Sequence, residues 1–78
     1  GIHSVTIRDN IFAIGLVDGT VKVLNTNTDL LHTFKEHAQA VTSMDIDGNM
    51  LIAGSKDAVA NIWDINTGTL VYTLQGIP

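Results

Sequence analysis

His37, Ser55 and Asp57 are the residue types of a hydrolytic triad, in which an imidazole takes the proton of a hydroxyl nucleophile and a carboxylate orients the imidazole. Such a site needs an exposed, strained nucleophile and main-chain N–H groups aimed at the oxyanion. The segment Gly54-Ser55-Lys56-Asp57-Ala58 lacks the Gly-x-Ser-x-Gly pattern and falls at a hairpin, not at a strand-to-helix turn. The expectation is that the three residues do not act as a triad and that the chain is not an enzyme. His3, His32 and His37 are zinc-ligand types, but they fall at the ends of different strands without i, i+4 or close hairpin spacing. No metal and no other cofactor is expected. Asp45 and Asp47, two apart on one strand, share a face like a carboxylate pair. They flank a turn, where a solvated rim explains them. Gly54-Ser55-Lys56 has neither the upstream glycine nor the following helix of a phosphate loop.

The elements that carry these residues repeat. A shift of 39 places, from Gly15 to Gly54, also aligns Ser4 with Ser43, Ile7 with Ile46, Asn10 with Asn49 and Asp18 with Asp57. One extra residue near Gly68 then pairs Leu30 with Leu70 and Thr33 with Thr73. A period near 40 belongs to helical arrays or to propeller blades. Local chemistry decides between them. Each unit holds four short apolar runs: residues 2–7, 11–15, 20–24 and 30–34, then 41–46, 50–54, 59–64 and 70–74. Turn residues separate them, among them Asp18-Gly19, a hairpin signal because both central positions of a type I′ turn need positive φ. Runs this short, rich in Val, Ile and Thr, predict strands. The unit is a four-stranded antiparallel meander. Runs such as Ile11-Phe12-Ala13-Ile14 are apolar throughout, as when both faces of a sheet are covered. The fourth runs mix in His32, Thr33, Tyr72 and Thr73, as an outer edge would.

Composition narrows the function. Eight Asp plus Glu against four Lys plus Arg give a formal charge of −4, opposite in sign to what a phosphate-backbone binder needs. Aromatics make up only 5%, too few for a platform that stacks single-stranded bases. Nucleic acid is not an expected partner. The longest apolar run, residues 11–17, is far too short to cross a bilayer as a helix, so no membrane partner is expected either. The absence of cysteine excludes disulfides and thiolate metal sites and suits a reducing compartment, and the location expected is intracellular, cytoplasmic or nuclear.

Trp63-Asp64 closes a third strand, His37 precedes the first, and Gly54-Ser55-Lys56-Asp57 lies at the hairpin between. Together these resemble a WD repeat, the β-propeller family named for its Trp-Asp pair. The resemblance implies an all-β fold of two consecutive four-stranded blades, residues 1–39 (degenerate) and 40–78. It also implies one hydrogen-bonded network of His37, Ser55, Asp57 and Trp63, with the hydroxyl meeting the indole N–H. This chain departs from the family pattern in several places. Glu36 and Ala58 stand where glycine is usual, and Leu16 and Leu24 occupy the Ser and Trp positions of the first unit. Ile77 stands where the histidine of a following blade would be.

The resemblance further implies a protein-interaction scaffold whose partners bind the face formed by the loop before each first strand and by the second hairpin. Carried over by position, the exposed residues would be Ala40, Thr42 and Lys56, and Gly1, His3 and Val17 by the repeat shift. Two blades do not close a ring, so the chain is expected to be a slice of a longer propeller or to associate with itself head to tail. Two alternatives stand beside this reading. One is a small β-barrel binding a ligand, with the repeat arising from hairpin duplication. The other is the substrate-receptor portion of a ubiquitin-ligase WD-repeat protein.

Overall fold

The computed structural model describes residues 1–76, so that Ile77 lies outside them. Eight strands follow one another: β1 (Ile2–Arg8), β2 (Ile11–Leu16), β3 (Val21–Asn25) and β4 (Leu30–Phe34), then β5 (Val41–Asp47), β6 (Met50–Ser55), β7 (Val59–Asp64) and β8 (Thr69–Gln75). Each begins and ends within one residue of an apolar run in the sequence. They form two separate antiparallel sheets, ordered β1-β2-β3-β4 and β5-β6-β7-β8. Neither closes on itself or on the other, so the architecture is two propeller blades and not a barrel.

The repeat extends to the irregularities. Register slips between Ile2 and Ser4 in the first sheet and between Val41 and Ser43 in the second. A second pair of slips falls between Val23 and Leu24 and between Ile62 and Trp63. Gly19 (φ 93°) and Ala58 (φ 65°) hold the same left-handed position of the second hairpin. Thr28 (φ 65°) and Gly68 (φ 72°) do so in the third loop, the extra residue having entered before Gly68. Side chains that accept main-chain N–H groups also recur. Asp18 receives Thr20 N and Asp57 receives Val59 N. Asn25 and Asp64 each receive the N–H two residues on, from Asn27 and Asn66.

The blades meet through opposite faces. Strands alternate their side chains, so Ala13, Val21, Val23 and Phe34 of the first blade cover Ile46, Leu51, Ala53 and Trp63 of the second in one core. Strands β1 and β2 press on β5 at this junction. Each buried large aliphatic side chain contributes about 1.5–3 kcal/mol. One glycine sets the approach: a Cβ at Gly15 would lie 2.7 Å from the Cβ of Val41, which is fully buried. The apolar character of β2 and β6 on both faces therefore meets only one neighbour here. Ile52, the equivalent of buried Ala13, is exposed, and Phe12 and Ile14, equivalents of buried Leu51 and Ala53, are half-buried.

Candidate functional site

The two blades present the same ends side by side. Lys56 N donates to Ala40 O at 3.0 Å, and Val17 N donates to Gly1 O at 3.1 Å, which ties each second hairpin to the residue that leads into its first strand. The first hairpin also packs on the segment leading into the second blade. Gly19 faces the carbonyls of His37 and Gln39, so closely that a Cβ there would lie 2.9 Å from Gln39 O. Gly19 thus answers both to its positive φ and to this approach. The result is one continuous end on which His3, Val17, Thr42 and Lys56 are exposed and Ala40 is half-buried. His3 turns its Nδ1 to Val41 O at 3.2 Å, beside the Ser4 hydroxyl that donates to the same oxygen at 2.9 Å. Thr42 Oγ1 donates to Gly54 O at 3.3 Å.

Beneath this end lies the polar support. Ser55 Oγ donates to Asp57 Oδ1, which also receives Val59 N at 3.3 Å. That hydroxyl is the main cause holding the Asp57 carboxyl below its ordinary value; the Thr20 N–H does the same for Asp18. His37 is buried, and its burial lowers its pKa against the opposing pull of the Ala53 carbonyl and of the Asp57 and Glu36 charges. The imidazole is therefore held neutral, with one nitrogen free to accept. Asn61, also buried, brings its Nδ2 to 3.3 Å from His37 Nδ1 and 3.4 Å from Nε2. Asn61 Oδ1 in turn receives Thr73 Oγ1 at 2.7 Å. A polar chain thus runs from the loop before β5, across β7, to β8.

Trp63 is separated from Ser55. Its indole N–H donates to Glu36 Oε1 at 2.8 Å, where the resemblance to the WD repeat sent it to the hydroxyl. Register supplies the reason. Trp63 pairs with Leu51, four residues along β6 from Ser55, or about 13 Å at the usual strand rise. Asn61, opposite Ala53, stands two residues nearer and occupies the place beside His37. Trp63 joins an aromatic ladder instead: it stacks on Phe34 with centroids 4.7 Å apart and meets His37 edge-on at 5.8 Å. His32 continues the ladder behind Phe34 at 5.5 Å, with its Nε2 on Ile65 O at 2.6 Å. Glu36, Asn61 and Thr73 were not read from the sequence as members of this assembly. Asn61 carried a signal, being a polar residue two before Trp63 in an apolar strand.

At the opposite end, between the β1–β2 and β5–β6 turns, a cleft of about 460 Å³ is lined by Arg8, Asp9, Leu31, His32, Gly48 and Asn49 among others. Among the described residues no group of three or more His, Cys, Asp or Glu could hold a metal ion, and no helix is long and apolar enough to cross a membrane.

The family model described as "WD domain, G-beta repeat" matches residues 28–64. The DENN domain and WD repeat-containing protein SCD1 of Arabidopsis thaliana is 39% identical over 62 residues, which cover 76% of this chain and 5% of that protein. Among solved structures, the computationally designed Ika4 protein superposes with a TM-score of 0.88 at 32% identity, covering 99% of this chain and 49% of that one. The Cps50 (Swd1) β-propeller domain of Myceliophteria thermophila gives 0.89 at 20% identity, covering 95% of this chain and 24% of that one, a likeness of fold alone. The chain spans between 5% and 40% of the length of the curated relatives it matches.

Proposed function

Because the chain belongs to the WD-repeat β-propeller family, we propose that it serves as a non-catalytic protein-interaction scaffold whose two blades, residues 1–39 and 40–78, present the shared end around Lys56 to partner proteins inside the cell. The observation that carries this reading is the pairing of Lys56 N with Ala40 O and of Val17 N with Gly1 O. Each second hairpin is braced on the residue that leads into the first strand of its own blade, so exposed side chains project from tethered main chain and lose less freedom on binding. Lys56 and Val17 offer a cation and an apolar contact at equivalent positions of neighbouring blades. A protein segment with an acidic group beside an apolar side chain matches that chemistry.

The test is a displayed peptide library selected on the wild-type chain and on Lys56→Glu. The wild type enriches segments with an acidic residue near an apolar one, and Lys56→Glu loses that enrichment with an unchanged urea midpoint. Equal enrichment on both proteins refutes the assignment of Lys56.

A further inference from the structure

The cleft of about 460 Å³ at the end opposite Lys56 takes its walls from both blades. Its floor is apolar: Ile46 and Ile65 are buried there, Ile11 is half-buried, and Leu31 adds a wall that is 41% exposed. Main chain braces these walls. Ile65 N donates to Asn49 O at 2.8 Å and Thr26 N to Asn10 O at 3.0 Å, which ties each first turn to the third loop of its blade. His32 crosses from one blade to the other. Its Nε2 donates to Ile65 O at 2.6 Å, and its ring lies so close to Gly68 that a Cβ there would be 2.7 Å from Cε1. A cleft held in this way is formed before a ligand enters it. Its mouth is polar. Arg8 and Asp9 from the first blade face it with Asn49 and Asn66 from the second, all exposed and none bonded to another side chain among the described residues. Asp9 holds φ 54° where the second blade has Gly48, at φ 59°. Aspartate tolerates that backbone better than most residues, so the first turn sets a carboxylate at the mouth where its twin has none.

An occupant that suits this cleft brings an anion for Arg8, an N–H for Asp9 and an apolar group for the floor. The last residue of a protein chain, when its side chain is apolar, carries all three on one Cα. Volume extends the match. A cavity of about 150 Å³ holds a benzene, so this one has room for the residue or two before the last, whose peptide groups suit the Asn49 and Asn66 amides. We propose that the cleft binds the C-terminal end of a partner protein whose last residue is apolar. Arg8 pairs the α-carboxylate, where a planar guanidinium gives a charge-assisted, two-pronged contact. Asp9 accepts the N–H of the last residue, and Ile46 and Ile65 receive its side chain. This site is separate from the Lys56 end and does not rest on what binds there.

Magnetic-resonance titration of the isotopically labelled chain with the tripeptide acetyl-Ala-Ala-Leu tests it. The free acid shifts the main-chain signals of Asp9, Gly48, Asn49 and Asn66 saturably and leaves those of Val17 and Lys56 in place. Its C-terminal amide, which lacks the charge, binds about tenfold more weakly or worse, as loss of a charged hydrogen-bond partner requires. Arg8→Gln lowers affinity for the acid by a similar factor, barely changes affinity for the amide, and keeps the melting temperature; Arg8→Lys recovers part of the loss. Lys56→Glu binds the acid as the wild type does, so failure of the Lys56 reading leaves this one standing, and the reverse. Should Arg8→Gln fail to fold, the comparison of acid with amide on the wild type still decides. Equal binding of acid and amide, wild-type affinity in folded Arg8→Gln, or no saturable shift at the cleft overturns the proposal. Free leucine binding as tightly as the tripeptide overturns the assignment to a protein end.

Discussion

The indole N–H of Trp63 has two candidate acceptors in different parts of the blade, and a double-mutant cycle separates them. Trp63→Phe keeps an aromatic ring on Phe34, now 4.7 Å away and nearly parallel, and removes the donor. Its full cost combines the lost hydrogen bond with the smaller volume at a fully buried site. Trp63→Ala would cost about 3–5 kcal/mol, against a total stability of roughly 4–12 kcal/mol for a chain this size. Only the coupling term identifies the acceptor. Glu36 is exposed, so its carboxylate regains water when the indole is gone, and the Trp63–Glu36 coupling is expected near 1 kcal/mol. The Trp63–Ser55 coupling is expected within about 0.5 kcal/mol of zero, as for residues with no shared partner. Urea titrations followed by far-UV circular dichroism on Trp63→Phe, Glu36→Ala, Ser55→Ala and the two double variants give both values. A coupling near 1 kcal/mol to Ser55 and none to Glu36 would refute the register argument.

Two further outcomes follow from the same structure. Ala58 takes φ 65° at an exposed hairpin position where the first blade has Gly19; Ala58→Gly relieves about 1–2 kcal/mol of left-handed strain against about 0.5–1 of added chain entropy. The variant should be about 0.5–1 kcal/mol more stable by urea midpoint. Burial depresses the His37 pKa below the ordinary histidine value of 6.5, so the unfolded chain binds the proton first. Stability from this residue is complete above the unfolded value and is lost as pH falls from there through the folded pKa. Midpoints measured from pH 7.5 to 5 should decline in the wild type and flatten in His37→Gln; equal slopes would refute the buried neutral imidazole.

Much of the fold was legible because its signals are local. Asp18-Gly19 marks a hairpin without reference to anything distant, and the match of Gly15 to Gly54 reports a repeat whatever the repeat packs against. The polar network was less legible. The residue types named for it were His37, Ser55, Asp57 and Trp63, and the structure joins Ser55 to Asp57 and sets His37 edge-on to Trp63. The hydroxyl and the indole stay apart because cross-strand register sets Trp63 opposite Leu51, four residues from Ser55, and a one-dimensional spacing does not reveal that register. Asn61 and Thr73, which complete the chain from His37, are remote from it in sequence and become neighbours only when β7 pairs with β6 and β8.

By itself the sequence determined the number, order and limits of the strands, because turn residues and side-chain alternation act over a few residues at a time. It also determined that two equal units exist. Only the tertiary structure decided which face of each unit is covered, since Ala13 and Ile52 occupy the same place in their blades and only Ala13 has the other blade opposite it. It decided the acceptor of the indole proton as well, for hydrogen bonds depend on distances of a few ångströms across strands that the chain order leaves open.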